Sequence, residues 1–308
     1  PKPQTPNPKP QTPDYNSTPH AFYKQMRFEL LLIAIASTCC VCQAAVAVLP
    51  MPVPSYHRAD VRGRLYISGS FTKFIEQTRM EWMPVDTESE TSLAASLDIA
   101  SGVLLPHSFE AYETEEDLTW LREKVALVLA HVERINRSRH FAMIAFGFGA
   151  QLLLTALSEK SLNPQPFPAI PLKTPLRWAD SANSTFGSVV PGLERIRTQP
   201  FPLSSLYAFP SEQVTSNLWY QSNIRTLAET VLSGRASVVA AFEARSRPYI
   251  GLFFDADRIA FFRDETRDVS KDTESEDAAF DLAVGVLRLM RRGQCSVEYE
   301  ELLQRKGR

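Results

Sequence analysis

The sequence predicts an α/β fold with a mostly parallel sheet covered by helices on both faces. Three observations carry this. Short apolar runs recur at Val46-Ala-Val-Leu49, Ser101-Gly-Val-Leu-Leu-Pro106 and Phe141-Ala-Met-Ile-Ala145, and each reads as a buried strand. Amphipathic helical segments separate them, and strands alternating with helices favour parallel pairing. Hydrophobic residues make up 44% of the 308 and charged residues 22%, enough to bury a large core.

The elements follow in order. Val46–Leu49 is a strand closed by Pro50 and Pro52. Residues 64–77 read as a helix with apolar positions at Leu65, Ile67, Phe71, Phe74 and Ile75. Trp82–Val85 is a short strand, and 101–106 is a stronger one. Thr114–Arg137 is a long helix: Thr114 caps it, Glu115, Glu116 and Asp117 suit its positive end, and Arg134 and Arg137 suit its negative end. The strand at 141–145 leads into a helix over 150–157. Residues 162–175 are Pro-rich and irregular, and β-like segments follow at 226–232, 237–242 and 249–254. The polar run 269–278 reads as a loop before a last helix over 280–291.

The organisation is an upstream Pro-rich segment (1–25), a signal-type segment (26–45), one α/β domain (46–293) and a tail (294–308). Met26-Arg27, the apolar run Leu30–Ala36 and the small residues after it describe a signal peptide, with Met26 as the natural start. The alternative is a signal anchor retained in the membrane; otherwise no membrane association is expected. Asn136-Arg-Ser138 and Asn183-Ser-Thr185 match the N-glycan acceptor pattern and fit a secreted, lysosomal or vacuolar lumen. The net charge of −2, without a basic stripe, argues against a nucleic-acid partner. Cys39, Cys40, Cys42 and Cys295 form no metal-ligand spacing, so no metal or cofactor is expected.

Met143-Ile-Ala-Phe-Gly-Phe-Gly-Ala-Gln-Leu-Leu153 carries the most chemistry. A buried strand turns sharply into a helix at Gly147, and Gly149 lets the backbone pass close. That is the geometry of a nucleophile elbow, although on this stretch alone an ordinary strand-to-helix turn, common in any parallel sheet, is the favoured reading.

Other segments resemble the gamma-glutamyl hydrolases. Arg64-Leu-Tyr-Ile-Ser-Gly-Ser-Phe-Thr-Lys-Phe-Ile-Glu76 followed by Met83-Pro-Val85 is similar to their opening helix and strand. Residues 101–106 resemble the strand that precedes their Gly-Gly pair, and 145–153 resemble their Gly-Thr-Cys-Leu-Gly-Phe-Gln-Leu-Leu elbow. Thr215-Ser-Asn-Leu-Trp219 resembles a Thr-x-Asn-x-His segment, and Arg247–Asp257 resembles their Gln-Trp-His-Pro-Glu segment. The resemblance implies a three-layer α/β/α sandwich of the class I glutamine amidotransferase-like kind. It also implies removal of gamma-linked glutamates from folate polyglutamates, and a homodimer.

The residues that the resemblance matches to the chemistry depart from it. Gly147 stands at the nucleophilic cysteine, Asp255 at the base histidine and Asp257 at the triad acid. His107, Ser108 and Phe148 fall at the oxyanion positions, and Trp219 and Gln151 at the pocket. Glycine has no side chain with which to attack. The expected reading is therefore a degenerate member that acts by binding a gamma-glutamyl or folate-like ligand or a protein. Two alternatives stand beside it: an active gamma-glutamyl peptidase with an unorthodox nucleophile, for which His107 and Ser108 are the candidates, and a structural surface protein of the secretory pathway.

Overall fold

The computed structural model describes residues 45–53, 63–106, 114–166, 172–179, 184–203, 207–232, 236–254 and 273–292. The upstream segment, most of the signal-type segment and the tail lie outside them, as do all four cysteines and residues 269–272 of the acidic run.

In chain order the strands are β1 (Val46–Val48), β2 (Met51–Pro52), β3 (Leu65–Tyr66), β4 (Trp82–Pro84), β5 (Gly102–Leu105), β6 (Ala142–Phe146), β7 (Gln165–Pro166), β8 (Leu172–Pro175), β9 (Arg177–Trp178), β10 (Pro200–Leu203), β11 (Tyr207–Ala208), β12 (Ile224–Val231), β13 (Ser237–Ala244) and β14 (Tyr249–Leu252). The helices are α1 (Gly69–Glu76), α2 (Glu90–Ile99), α3 (Glu115–Ile135), α4 (Phe148–Leu157), α5 (Thr185–Val189), α6 (Leu193–Thr198), α7 (Ser211–Ser216), α8 (Leu218–Asn223) and α9 (Thr273–Met290).

Eight strands form one sheet in the order β4-β1-β5-β6-β14-β13-β12-β9. The first five are parallel neighbours. The last three extend the sheet antiparallel from β14. Alternation along the parallel strands sorts their side chains between two cores. Val46, Val48, Leu104, Ile144, Phe146 and Leu252 face one core, with Phe71 and Phe74 of α1 and Leu282 and Val286 of α9. Ala47, Val103, Leu105, Met143, Ala145 and Tyr249 face the other, with Leu97 of α2, Leu121 and Val128 of α3 and Leu153 of α4. A period of two in strands buried on both faces gives this partition, and the result is three layers, α/β/α. Fully burying a Leu or Phe contributes roughly 1.5–3 kcal/mol, so both layers hold the sheet strongly.

The structure corrects the sequence reading in several places. Helix α1 begins at Gly69 rather than residue 64, because Leu65 and Tyr66 pair with β2 and Ser68 takes an extended N-cap conformation. Helix α2 has no counterpart in the sequence reading; Ser89 and Ser92 close a reciprocal capping box at its start. The acidic stretch from Thr273 onward is helical and belongs to α9 rather than to a loop. Short paired strands, β7 with β11 and β8 with β10, run through the Pro-rich region. Thr114 caps α3 as expected, its hydroxyl accepting from the Asp117 amide at 3.2 Å. Among the described residues no helix is long and apolar enough to cross a membrane.

Candidate functional site

Strand β6 lies between β5 and β14, and it ends at Phe146. Gly147 then turns the chain into α4 with φ 48° and ψ −118°, a conformation that L side chains rarely adopt. Main-chain bonds hold the turn. The Gly147 amide donates to the Leu252 carbonyl at 2.7 Å, and the Gly147 carbonyl accepts from Ala150 at 3.1 Å. Two residues on, a Cβ at Gly149 would sit 2.8 Å from the Leu105 carbonyl oxygen and 2.9 Å from that of Pro106. Close packing against the end of β5 requires glycine at Gly149, whereas at Gly147 the backbone angle makes any side chain strained without excluding it. The sharp, strained strand-to-helix turn of an elbow is present, and its apex carries no side chain.

Three neighbouring parallel strands, β5, β6 and β14, end at this edge, where open α/β sheets bind ligands. Pro106 precedes His107 and Ser108, and Phe254 precedes Asp255 and Asp257. Those four residues, and Asn183, lie outside the described residues. Gln151 is buried at 2% exposure, and its amide donates to the Tyr207 carbonyl at 2.6 Å, tying α4 to β11.

A cavity of about 330 Å³ opens one turn along α4 from Gly147. Phe148 and Gln151 line it, with Tyr207 from β11 and Glu115 and Arg122 from α3. The Arg122 guanidinium reaches the Glu115 carboxylate at 3.1 Å. Trp219 is not among the residues around this cavity; it packs half-buried against the core on the α3 and α4 side. Sequence reasoning missed Glu115 and Arg122 as site residues. Their signal was present, since they stand seven apart and so share one face of a helix whose N-terminus lies at the carboxyl edge. Tyr207 had no local signal, because β11 is placed by its pairing with β7.

Two further polar clusters among the described residues tie elements of the fold together. Glu243 is buried at 3% and accepts from Ser184 Oγ at 3.0 Å, the Phe186 amide at 3.1 Å and Arg225 at 2.7 Å, which fixes the start of α5. At the amino edge of the sheet Tyr249 donates its hydroxyl hydrogen to Glu133 at 2.7 Å, and Arg247 reaches the same carboxylate at 3.0 Å. Burial, reinforced by the Glu133 carboxylate, pushes the Tyr249 phenol well above its ordinary value. The Asn136 amide donates to the Phe141 carbonyl at 3.0 Å and to the Tyr249 hydroxyl at 3.3 Å, and its Oδ1 accepts from the Phe141 amide at 3.0 Å. A carboxamide has two N–H donors, and both are used within the fold. Among the described residues no group of His, Cys, Asp or Glu is arranged to hold a metal ion.

No family model matches the chain. A gamma-glutamyl hydrolase of Glycine max is 30% identical over 127 residues, which is 41% of this chain and 36% of that protein. The match thus spans about a third of that relative's length. Among solved structures, a protein of Thermoplasma acidophilum assigned as a GMP synthase subunit has a TM-score of 0.46 at 12% identity, covering 81% of this chain and 98% of its own. A glutamine amidotransferase of Thermotoga maritima has a TM-score of 0.43 at 14% identity, covering 80% and 98%.

Proposed function

We propose that this protein is gamma-glutamyl hydrolase-like, has lost hydrolysis, and acts by binding a gamma-glutamyl ligand at the carboxyl edge of β5, β6 and β14. The observation that carries the reading is Gly147: an elbow apex at φ 48° without a side chain. Acyl transfer through an elbow needs a thiol or hydroxyl at that apex, and glycine supplies neither. The distant similarity to the Glycine max enzyme supports the choice of ligand class. The cavity beside Phe148 gives a small polar molecule room to sit next to the turn. Entry to the secretory pathway through residues 26–45, with cleavage of that segment, belongs to the same reading.

Two assays on the purified chain test it. Calorimetric titration with a gamma-glutamyl oligomer should show saturable binding, and prolonged incubation should release no free glutamate. Turnover abolished by Ser108→Ala would replace this reading with that of a serine-dependent peptidase. Absence of binding would leave the protein without a gamma-glutamyl role.

A further inference from the structure

The cavity beside the elbow has a composition that specifies more than a gamma-glutamyl ligand. Glu115 and Arg122 sit two turns apart on α3 and bring an anion and a cation to its wall, 3.1 Å from each other. Their side chains are 78% and 47% exposed. A pair this solvated contributes little to stability, so either group can exchange its partner for a ligand charge at small cost. The remaining wall is amphipathic: Phe148 and Tyr207 supply ring surface, and Gln151 is held in place by its bond to the Tyr207 carbonyl. A volume of about 330 Å³ lies at the lower end of small-molecule sites, enough for an amino acid and a few further atoms.

We propose that this cavity takes the free α-amino-acid end of a gamma-glutamyl peptide, its α-carboxylate on Arg122 and its α-ammonium on Glu115. The identity of the ligand rests on the function proposed above; the preference for a zwitterion rests on the cavity alone. The arrangement selects among gamma-glutamyl compounds. A simple gamma-glutamyl dipeptide keeps both charges on its first residue. A folate polyglutamate does not, because the amine of its first glutamate is acylated. With such a ligand Glu115 would face a neutral amide and stay solvated, so the complex would lack one of its two ionic contacts. The protein therefore binds free-amine gamma-glutamyl peptides in preference to folate-type chains.

The test is calorimetric titration of the full chain with gamma-glutamylglutamate, its N-acetyl derivative and free glutamate. It is run on the parent and on Arg122→Ala, Glu115→Gln and, as a control on α3 outside the cavity, Lys124→Ala. The parent should bind gamma-glutamylglutamate about two- to fivefold more tightly than the N-acetyl form. Arg122→Ala and Glu115→Gln should each weaken the dipeptide by about two- to fivefold, with Lys124→Ala unchanged. Equal binding of acetylated and free dipeptide, or affinity indifferent to Arg122→Ala, would overturn the cavity assignment while leaving the gamma-glutamyl reading intact. Binding of free glutamate that depends on Arg122, with no binding of the dipeptide, would keep the zwitterion site and discard the gamma-glutamyl reading. Binding of none of the three would remove both.

Discussion

The two edges of the parallel sheet are built on different principles. At the amino edge, side chains hold the fold: Asn136, Tyr249, Glu133 and Arg247 join the end of α3 to the starts of β6 and β14 through bonds of 2.7–3.3 Å. At the carboxyl edge, main chain and close packing hold it: Gly147 bonds to Leu252, and Gly149 rests against Leu105 and Pro106. The amino edge stores stability, and the carboxyl edge preserves a shape. The turn at the carboxyl edge is complete in its main chain, and its apex, Gly147, carries no side chain.

Substitutions at the two edges sharpen this contrast. The largest effect is expected from Gly149→Ala. Its methyl would meet two backbone carbonyl oxygens under 3 Å away, and backbone cannot step aside as a side chain can. Overpacking of this kind costs about 2–3 kcal/mol, read as a lower midpoint of denaturant unfolding with an unchanged slope. Gly147→Ala should cost about 1–2 kcal/mol, because φ 48° with ψ −118° disfavours any Cβ. Equal stability of Gly147→Ala and parent would mean that the turn is not strained and the elbow assignment is wrong.

The amino edge should respond differently. Asn136→Ala removes three hydrogen bonds and should cost about 1–3 kcal/mol without altering ligand affinity. The same bonds predict that Asn136 carries no glycan in the folded protein expressed through a secretory host, which peptide mass spectrometry reads directly. A glycan found there would show that the Phe141 and Tyr249 contacts are not retained.

The smallest effect is alkaline. Burial raises the phenols of Tyr249 and Tyr220 above their ordinary value. A raised folded-state value means stability is complete below about pH 10 and is lost as pH climbs toward the folded-state values. Tyr249→Phe should flatten that decline, and unfolding midpoints measured between neutral pH and about pH 11 would check it.

Much of this was legible in the sequence. Short apolar runs at 46–49, 101–106 and 141–145 read as strands buried on both faces, and Gly147 with Gly149 marks the turn that follows. Helix α2 was not legible, because its capping box uses Ser92 where a Glu or Gln is the usual sign. The acidic start of α9 looked like solvated loop, yet acidic residues suit a helix N-terminus. The cavity was least legible. Its walls come from α3, α4 and β11, and Tyr207 reaches it only through pairing with β7, which local patterning does not encode.

The central claim is that the scaffold persists and only the reacting groups are missing. Restoring them tests it most directly: glutamate release from a gamma-glutamyl oligomer, measured for the parent and for a Gly147→Cys, Asp255→His double variant. The account predicts no release by the parent and measurable release by the double variant, despite some loss of stability at position 147. Release by the parent, or a folded double variant with a reactive thiol and no activity, would contradict it.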